Sequence, residues 1–170
     1  MGFLDGLGKL FNTGKNRKSY TEMSKEELLA LDDDDFYFAL RRLNFEKLFS
    51  INDCRNSTHR TYFIVISFIE EVYNGGISQF FFNASRECAP FVSDALKKIG
   101  SIRTKNAFDE LVESAQIPLN DFDALQELDD DEMIQEKMDA FDESFYEEED
   151  ASDCLLAYAK MYVDDLIVFQ

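Results

Sequence analysis

The sequence is poor in cysteine and histidine, the residues that bind zinc or build disulfide frameworks. Its three cysteines, Cys54, Cys88 and Cys154, lie far apart without Cys-x-x-Cys spacing, and His59 is the single histidine. An odd number of cysteines at this spacing argues against a zinc site and against a disulfide framework. We therefore expect small, buried, reduced cysteines, a reducing compartment and no cofactor.

Long apolar runs are missing as well. No segment reaches the roughly 18 consecutive apolar residues of a membrane-spanning helix. The N-terminal MGFLDGLGKLF has too short an apolar run, and lacks the leading lysines, to be a secretory signal. Gly6 stands where an N-myristoylation motif has Ser or Thr. These absences predict a cytoplasmic protein that does not bind membranes.

Basic residues are scarce. The chain has 17 Lys and Arg against 35 Asp and Glu, a formal net charge of -18. Nucleic acid and anionic membrane surfaces are therefore poor direct partners, and a basic protein is the natural one. The alternative is that the negative charge only keeps the protein soluble.

Apolar and aromatic residues are abundant. Hydrophobic residues make up 45% of the 170 residues, and 17 phenylalanines and 7 tyrosines supply enough apolar area for one core, which argues against a chain that is disordered throughout. Strand-type alternation and internal repeats are absent. The predicted fold class is all-α, a single-domain multi-helix bundle with a long buried central helix.

The first part of the chain is expected to stand apart from this bundle. Four large apolar residues recur there at helical spacing: Phe3, Leu7, Leu10 and Phe11. The basic stretch NTGKNRKSY follows them. We expect a short amphipathic helix and a flexible basic linker over residues 1–22, and a single all-helical domain over residues 23–170.

The central helix is predicted from Thr58 to Asn74. The segment is apolar on nearly all sides and too long for an ordinary strand. Ser57 or Thr58 is the expected cap, and Gly75 is the expected stop.

Other helices are indicated by caps and apolar faces. Ser24 with Glu27 fits a capping box, and Asp35 is expected to cap the next helix. That helix has an apolar face of Phe36, Leu40, Leu43 and Leu48 or Phe49. Further helices are expected over residues 85–100, with Pro90 early and Gly100 as C-cap, and over residues 104–115. Pro118 and Asn120 mark a break, and the last helix has an apolar face of Leu155, Tyr158 or Ala159, Tyr162 and Leu166.

Residues 121–153 contain sixteen acidic residues and one basic residue, Lys137. Ile134, Met138, Phe141 and Phe145 fall on one face of a helix. Six acids fall on the opposite face and are our candidate partner-binding residues: Glu132, Glu136, Asp139, Glu143, Glu147 and Asp150. Helix surfaces are normally stabilised by pairs of opposite charge at i,i+4, and this face has none.

The density of charge on this helix approaches that of a nucleic acid. A helix over residues 129–150 would be about 33 Å long. Its twelve acids give one charge per roughly 2.7 Å, against about 1.7 Å in duplex DNA. A solvated helix face without a partner is the alternative.

A calcium site is not predicted here. Asp121, Asp123 and Glu132 match EF-hand positions, but Leu125 replaces a ligand and Gln126 replaces the required glycine.

Residues 70–83, EEVYNGGISQFFFN, resemble a helix-end signature, E-x-x-N-G-G-x-x-Q-[FY]-x-x-N, of the bacterial DNA-mimic protein family. The residues that carry the resemblance are Glu70, Glu71, Val72, Asn74, Gly75, Gly76, Gln79, Phe80 and Asn83. The segments ALKKIG and AYAKMYVDDLIVF are also similar to that family, so the resemblance covers roughly residues 25–170.

The resemblance implies an all-helical fold, a dimer and, for the characterised branch, carboxylates presented in place of DNA phosphates to a DNA-binding protein. The motif itself is expected to be structural. Gly75 and Gly76 would allow a turn with φ > 0, Asn74 and Asn83 would satisfy backbone groups, and Gln79 would be held inside the corner.

Three hypotheses follow. The first is a non-catalytic interaction protein whose acids occupy the DNA-binding surface of a basic protein such as a transcription factor. The second is an immunity-type or regulatory inhibitor of a basic nuclease or effector. The third is an enzyme or metal-dependent protein with a polar site at the Glu70–Gln79 corner. We expect no enzyme, because no nucleophile and base accompany that corner.

Overall fold

The computed structural model describes residues 20–45, 50–128 and 131–167. Within these ranges the chain is an all-α bundle without strands, which confirms the predicted fold class. Its helices are α1 (Lys25–Leu29), α2 (Asp33–Phe45), α3 (Ser57–Phe82), α4 (Val92–Ile99), α5 (Ile102–Ala115), α6 (Phe122–Leu125), α7 (Glu132–Glu148), α8 (Ala151–Met161) and α9 (Val163–Leu166). No helix in these ranges is both long enough and apolar enough to cross a membrane.

Helix α3 is the centre of the bundle. Every residue from 61 to 69 is buried, because α4, α7, α8 and the 3-10 segment Ala84–Phe91 pack around it. The predicted buried central helix is thereby confirmed. The expected cap was wrong, since the helix begins one residue earlier and the Asn56 side chain accepts a hydrogen bond from the His59 amide at 2.8 Å.

The ring of Phe68 lies in the middle of an aromatic cluster. It packs edge to face against four other rings at centroid distances between 5.3 and 6.3 Å: Phe80, Phe108, Phe141 and Phe145. Each such pair adds roughly 0.5–1.5 kcal/mol to the stabilisation from hydrophobic burial. Since the rings come from α3, α5 and α7, the cluster joins these three helices into one core.

Helix α3 is interrupted at its two glycines, as the predicted stop at Gly75 requires. Gly75 has φ −165° and Gly76 has φ 81°, so only Gly76 is in the left-handed region and the expectation of φ > 0 at Gly75 was wrong. The helix then resumes as far as Phe82, which the sequence analysis did not predict. In a continuous helix Phe68 and Phe80 would be about 18 Å apart along the axis. Their ring centroids are 5.3 Å apart, so the second part of α3 folds back on the first.

The start of α2 also differs from the prediction. The capping box of Ser24 and Glu27 is present and opens α1. Asp32, and not Asp35, caps α2, because its carboxylate accepts a hydrogen bond from the Asp35 amide at 2.8 Å. The repeated aspartates explain the error, since each of them is an acceptable cap residue and only the packed structure selects one.

Three boundaries in the second half of the chain were only partly predicted. Pro90 lies in the 3-10 segment before α4 and not inside the α-helix, because proline has no N–H for a helical hydrogen bond. Gly100 ends α4 with φ 86°, which confirms the predicted C-cap. The last helix is divided at Tyr162, which separates α8 from α9.

Other predictions are confirmed or lie outside the described residues. Phe36, Leu40 and Leu43 are buried as expected. The three cysteines are free, but the expectation that all are buried holds only for Cys88, since Cys54 and Cys154 are half-buried. The predicted helix at residues 3–11 and the alternatives Leu48 and Phe49 lie outside the described part of the chain, and the domain boundary at 22–23 stays a prediction.

The glycine break allows a test of how α3 and α7 are joined. A Cβ at Gly76 would lie 2.2 Å from the Asp142 carboxylate of α7, whereas a Cβ at Gly100 would meet nothing within 4 Å. The left-handed helical conformation of Gly100 (φ 86°, ψ 8°) costs an alanine about 1–2 kcal/mol, whereas the conformation of Gly76 (φ 81°, ψ 175°) is one that essentially only glycine adopts. We expect Gly100→Ala to lower the free energy of unfolding by about this amount, and Gly76→Ala to lower it by at least about 1 kcal/mol more. Urea unfolding measures both, and equal losses would contradict a tight contact between Gly76 and Asp142.

Candidate partner-binding surface

Five of the six predicted partner-binding acids lie on the outer face of α7. They are all exposed to solvent: Glu132, Glu136, Asp139, Glu143 and Glu147. We call these five residues the acidic stripe. The opposite face of α7 is fixed in the core through Met138, Phe141 and Phe145, which are buried. Burial of one face therefore directs the five carboxylates outward together.

The ends of α7 are defined by residues next to the stripe. Asp131 caps the start, because its carboxylate accepts hydrogen bonds from the Met133 and Ile134 amides at 2.9 and 3.2 Å. The helix ends at Glu148, so it is shorter at both ends than the predicted 129–150. At 1.5 Å per residue its length is about 25 Å.

The stripe has no counter-charge among the described residues. Ion pairs among the described residues lie outside the stripe and join Lys25 to Asp164, Arg41 to Glu70, Lys105 to Asp109 and Lys160 to Asp33. Lys137, the one basic residue of α7, donates instead to the Ser114 carbonyl on α5. Repulsion between like charges one turn apart is therefore not relieved within the described structure, and the carboxylates stay open to a partner.

Asp150, the sixth predicted residue, has a role inside the protein. Its carboxylate accepts hydrogen bonds from the Ser101 hydroxyl, from the Thr104 amide and hydroxyl at 3.1 and 2.8 Å, and from the Arg103 amide at 3.2 Å. Partial burial alone would raise the pKa of Asp150, but these hydrogen bonds hold it below its ordinary value. Asp150 thus satisfies the start of α5, and its carboxylate is already occupied.

Asp142 lies on the same helix and was not among the predicted site residues. Its carboxylate accepts a hydrogen bond from the Ile77 amide at 2.8 Å, where the second part of α3 begins. Burial raises the pKa of Asp142 to about 6, the Ile77 hydrogen bond opposes the rise, and the charge of Asp139 adds to it. Asp142 is four residues after Met138 and three before Phe145, and this spacing beside the apolar face could have identified it.

The motif residues meet at the corner where α3 folds back. One carboxylate oxygen of Glu71 accepts hydrogen bonds from the Gln79 and Asn83 side-chain amides at 2.6 and 2.8 Å. Gln79 is thus held inside the corner as predicted, whereas the Asn83 side chain bonds a carboxylate and not the expected backbone group. Phe80 is buried beneath the corner, and Asn74 is exposed.

Glu70 and Glu71 point to different partners. The Arg41 guanidinium donates to both carboxylate oxygens of Glu70, and the Tyr37 hydroxyl donates to one of them at 3.2 Å. The two glutamates therefore do not converge on one site. Across the described ranges, no group of three or more His, Cys, Asp and Glu residues is placed to hold a metal ion. The hydrogen bonds of the corner support a structural role.

Two tyrosines border the acidic stripe. Tyr73 of α3 and Tyr146 of α7 have ring centroids 5.9 Å apart with planes at 41°. The two residues are 37% and 49% exposed, whereas Phe145 beside them is buried. Tyr146 follows Glu143 by three residues and precedes Glu147, so its ring lies along the edge of the stripe.

Comparison with known proteins identifies a family. A family model described as DMP19-like protein matches residues 55–163, from just before α3 to the start of α9. The matched region includes the glycine break and all of α7. The comparisons with curated proteins and with solved structures gave no match.

The raised pKa of Asp142 predicts how stability depends on pH. An aspartate whose folded-state pKa is raised binds its proton more tightly when folded, so its contribution to stability falls as the pH rises from 3.8 to about 6. Asp142→Asn keeps an acceptor for the Ile77 amide and removes the charge. We expect this variant to be more stable than the wild type at pH 7, and the gap to close as the pH falls towards 4.

Urea unfolding at several pH values between 4 and 7 measures this gap. Glu147→Gln is the matched control, because it removes one exposed charge from the same helix and is expected to show a small, nearly constant difference. A gap for Asp142→Asn that does not change with pH would contradict the prediction.

Proposed function

The chain belongs to the DMP19-like protein family, and on this premise we propose that it is a non-catalytic, cytoplasmic DNA mimic. In this proposal the carboxylates of the acidic stripe take the place of DNA phosphates and occupy the DNA-binding surface of a basic protein, such as a transcription factor. The observation that carries the proposal is the exposed stripe without counter-charge.

The spacing of charge on α7 supports this function. Glu148 is exposed as well, so six acids project from a helix of about 25 Å, one per roughly 4 Å. One strand of DNA carries a phosphate per roughly 3.4 Å. Carboxylates one helical turn apart are about 5–6 Å apart at Cβ, within reach of arginine and lysine side chains that bind phosphates.

The rigidity of α7 also supports it. Phe141 and Phe145 pack on Phe68, and Asp142 bonds the Ile77 amide, so the helix is held on two sides. A surface that is already ordered loses little conformational entropy when a partner binds. The backbone positions from which the stripe residues project are therefore set before a partner binds.

Neutralising the stripe should weaken binding sharply. We expect a variant with Glu136, Glu143 and Glu147 changed to Gln and Asp139 to Asn to lose most of its affinity for a basic DNA-binding partner and most of its salt dependence, because exposed charges interact through a screened field. Circular dichroism should show unchanged helix content. The matched control removes the same charge elsewhere, at the exposed residues Asp94, Glu110, Glu113 and Asp123, and should bind like the wild type.

The partner is to be captured from the lysate of the native cell at low salt and eluted in salt steps, with wild-type, stripe-neutralised and control proteins as baits. Recovery of a DNA-binding protein on the wild-type and control baits, with release by competing duplex DNA, supports the proposal. Equal recovery on the stripe-neutralised bait would contradict it, and recovery of a basic nuclease would point to the inhibitor hypothesis instead.

The homodimer that the family resemblance implies is part of the proposal, and sedimentation equilibrium tests it.

A further inference from the structure

The two tyrosines at the edge of the stripe are held rigidly. The Tyr146 hydroxyl donates to the Val72 carbonyl at 2.8 Å, and the Tyr73 hydroxyl donates to Glu149 at 3.0 Å. The ring of Tyr73 also packs on Phe145 at a centroid distance of 5.3 Å. The Tyr146 hydroxyl is thus directed at the backbone of α3, the Tyr73–Glu149 bond lies at the surface, and both tyrosines remain partly exposed to solvent.

The surroundings of these rings favour a cation. An aromatic ring face carries partial negative charge and attracts ammonium or guanidinium groups. Glu143 and Glu147 are neighbours of Tyr146 on α7 and are both exposed. A cationic side chain that approaches the Glu143–Glu147 end of the stripe therefore meets both an aromatic ring and carboxylates.

Arginine fits this arrangement better than lysine. The planar guanidinium stacks on an aromatic ring and still directs N–H groups from its edge toward a carboxylate. The compact, strongly hydrated lysine ammonium cannot do both with the same geometry. The tyrosine pair therefore favours arginine over lysine. Carboxylates alone discriminate only weakly between these two residues.

We propose that Tyr73 and Tyr146 form an arginine-binding subsite at the edge of the acidic stripe. The subsite rests on the proposed function, because its occupant is an arginine side chain of the basic partner. It adds selectivity for arginine and a component of binding that survives added salt. The tyrosines thereby add to the acidic stripe a contact that does not depend on carboxylate charge.

The test uses two synthetic peptides, of ten arginines and of ten lysines, titrated calorimetrically into the full-length protein at several salt concentrations. We expect the wild type to bind the arginine peptide more tightly than the lysine peptide. Tyr146→Leu should reduce the affinity for the arginine peptide by about two- to fivefold and leave the lysine peptide almost unaffected. The dependence on salt should be unchanged, since the carboxylates remain.

Two further variants separate the ring from other effects of the substitution. Tyr146→Phe keeps the ring and loses only the hydroxyl bond to Val72, so it should retain the preference for arginine. Tyr162, which follows α8 and packs on Tyr158, is another exposed tyrosine. Tyr162→Leu should also retain the preference for arginine. Melting temperatures confirm that each variant is folded. If Tyr146→Leu does not fold, Tyr73→Leu, which removes the other ring of the subsite, provides the test with the same expected loss of the preference for arginine.

The possible failures are distinguishable. Equal affinity of the wild type for the two peptides, an undiminished preference in Tyr146→Leu, or a preference lost in Tyr146→Phe would overturn the subsite and leave the acidic stripe intact. Failure of both peptides to bind at low salt, or equal binding by the stripe-neutralised variant, would overturn the proposed function together with the subsite.

Discussion

The packing of Phe68 against four other aromatic rings is the interaction on which the rest of the structure depends. Its partners come from the second part of α3, from α5 and from α7. If this cluster were absent, α7 would bury little apolar surface beyond Met138 and the half-buried Ile134, since the rest of its surface is polar and strongly negative. The cohesion of the rings must offset the repulsion among the acids on the outer face. The aromatic residues that α7 buries and the acids that it exposes thus lie on opposite faces of the same helix.

The glycine break and Asp142 complete this attachment. The chain reverses at Gly75 and Gly76, which brings Phe80 back to Phe68 and leaves the Ile77 amide without a partner from its own helix. Asp142 provides that partner from α7. The close approach of its carboxylate leaves no room for a Cβ at Gly76. The Asn-Gly-Gly motif therefore serves the joint between the two helices, which explains why a fold signature lies beside the candidate surface without being part of it.

The acidic residues of the chain divide into two groups by what surrounds them. Asp131, Asp142 and Asp150 accept hydrogen bonds from backbone amides at helix starts, so their carboxylates are occupied inside the protein. The acidic stripe has no such bonds and faces solvent. The acids near α7 therefore do not all have the same role, and only the exposed ones are available to a partner protein.

The sequence by itself determined the helix pattern, the buried side of α7, the glycine stop and five of the acids on the exposed face. These features depend on spacing along a single helix, where a period of 3.6 residues specifies which side chains share a face. Tertiary structure alone decided that α3 resumes and folds back, that Asp32 is the cap of α2, and that Asp142 and Asp150 bond amides on other helices. It also brought Tyr73 and Tyr146 together from different helices. Contacts between residues far apart in sequence depend on how whole helices pack, and no local period contains that information.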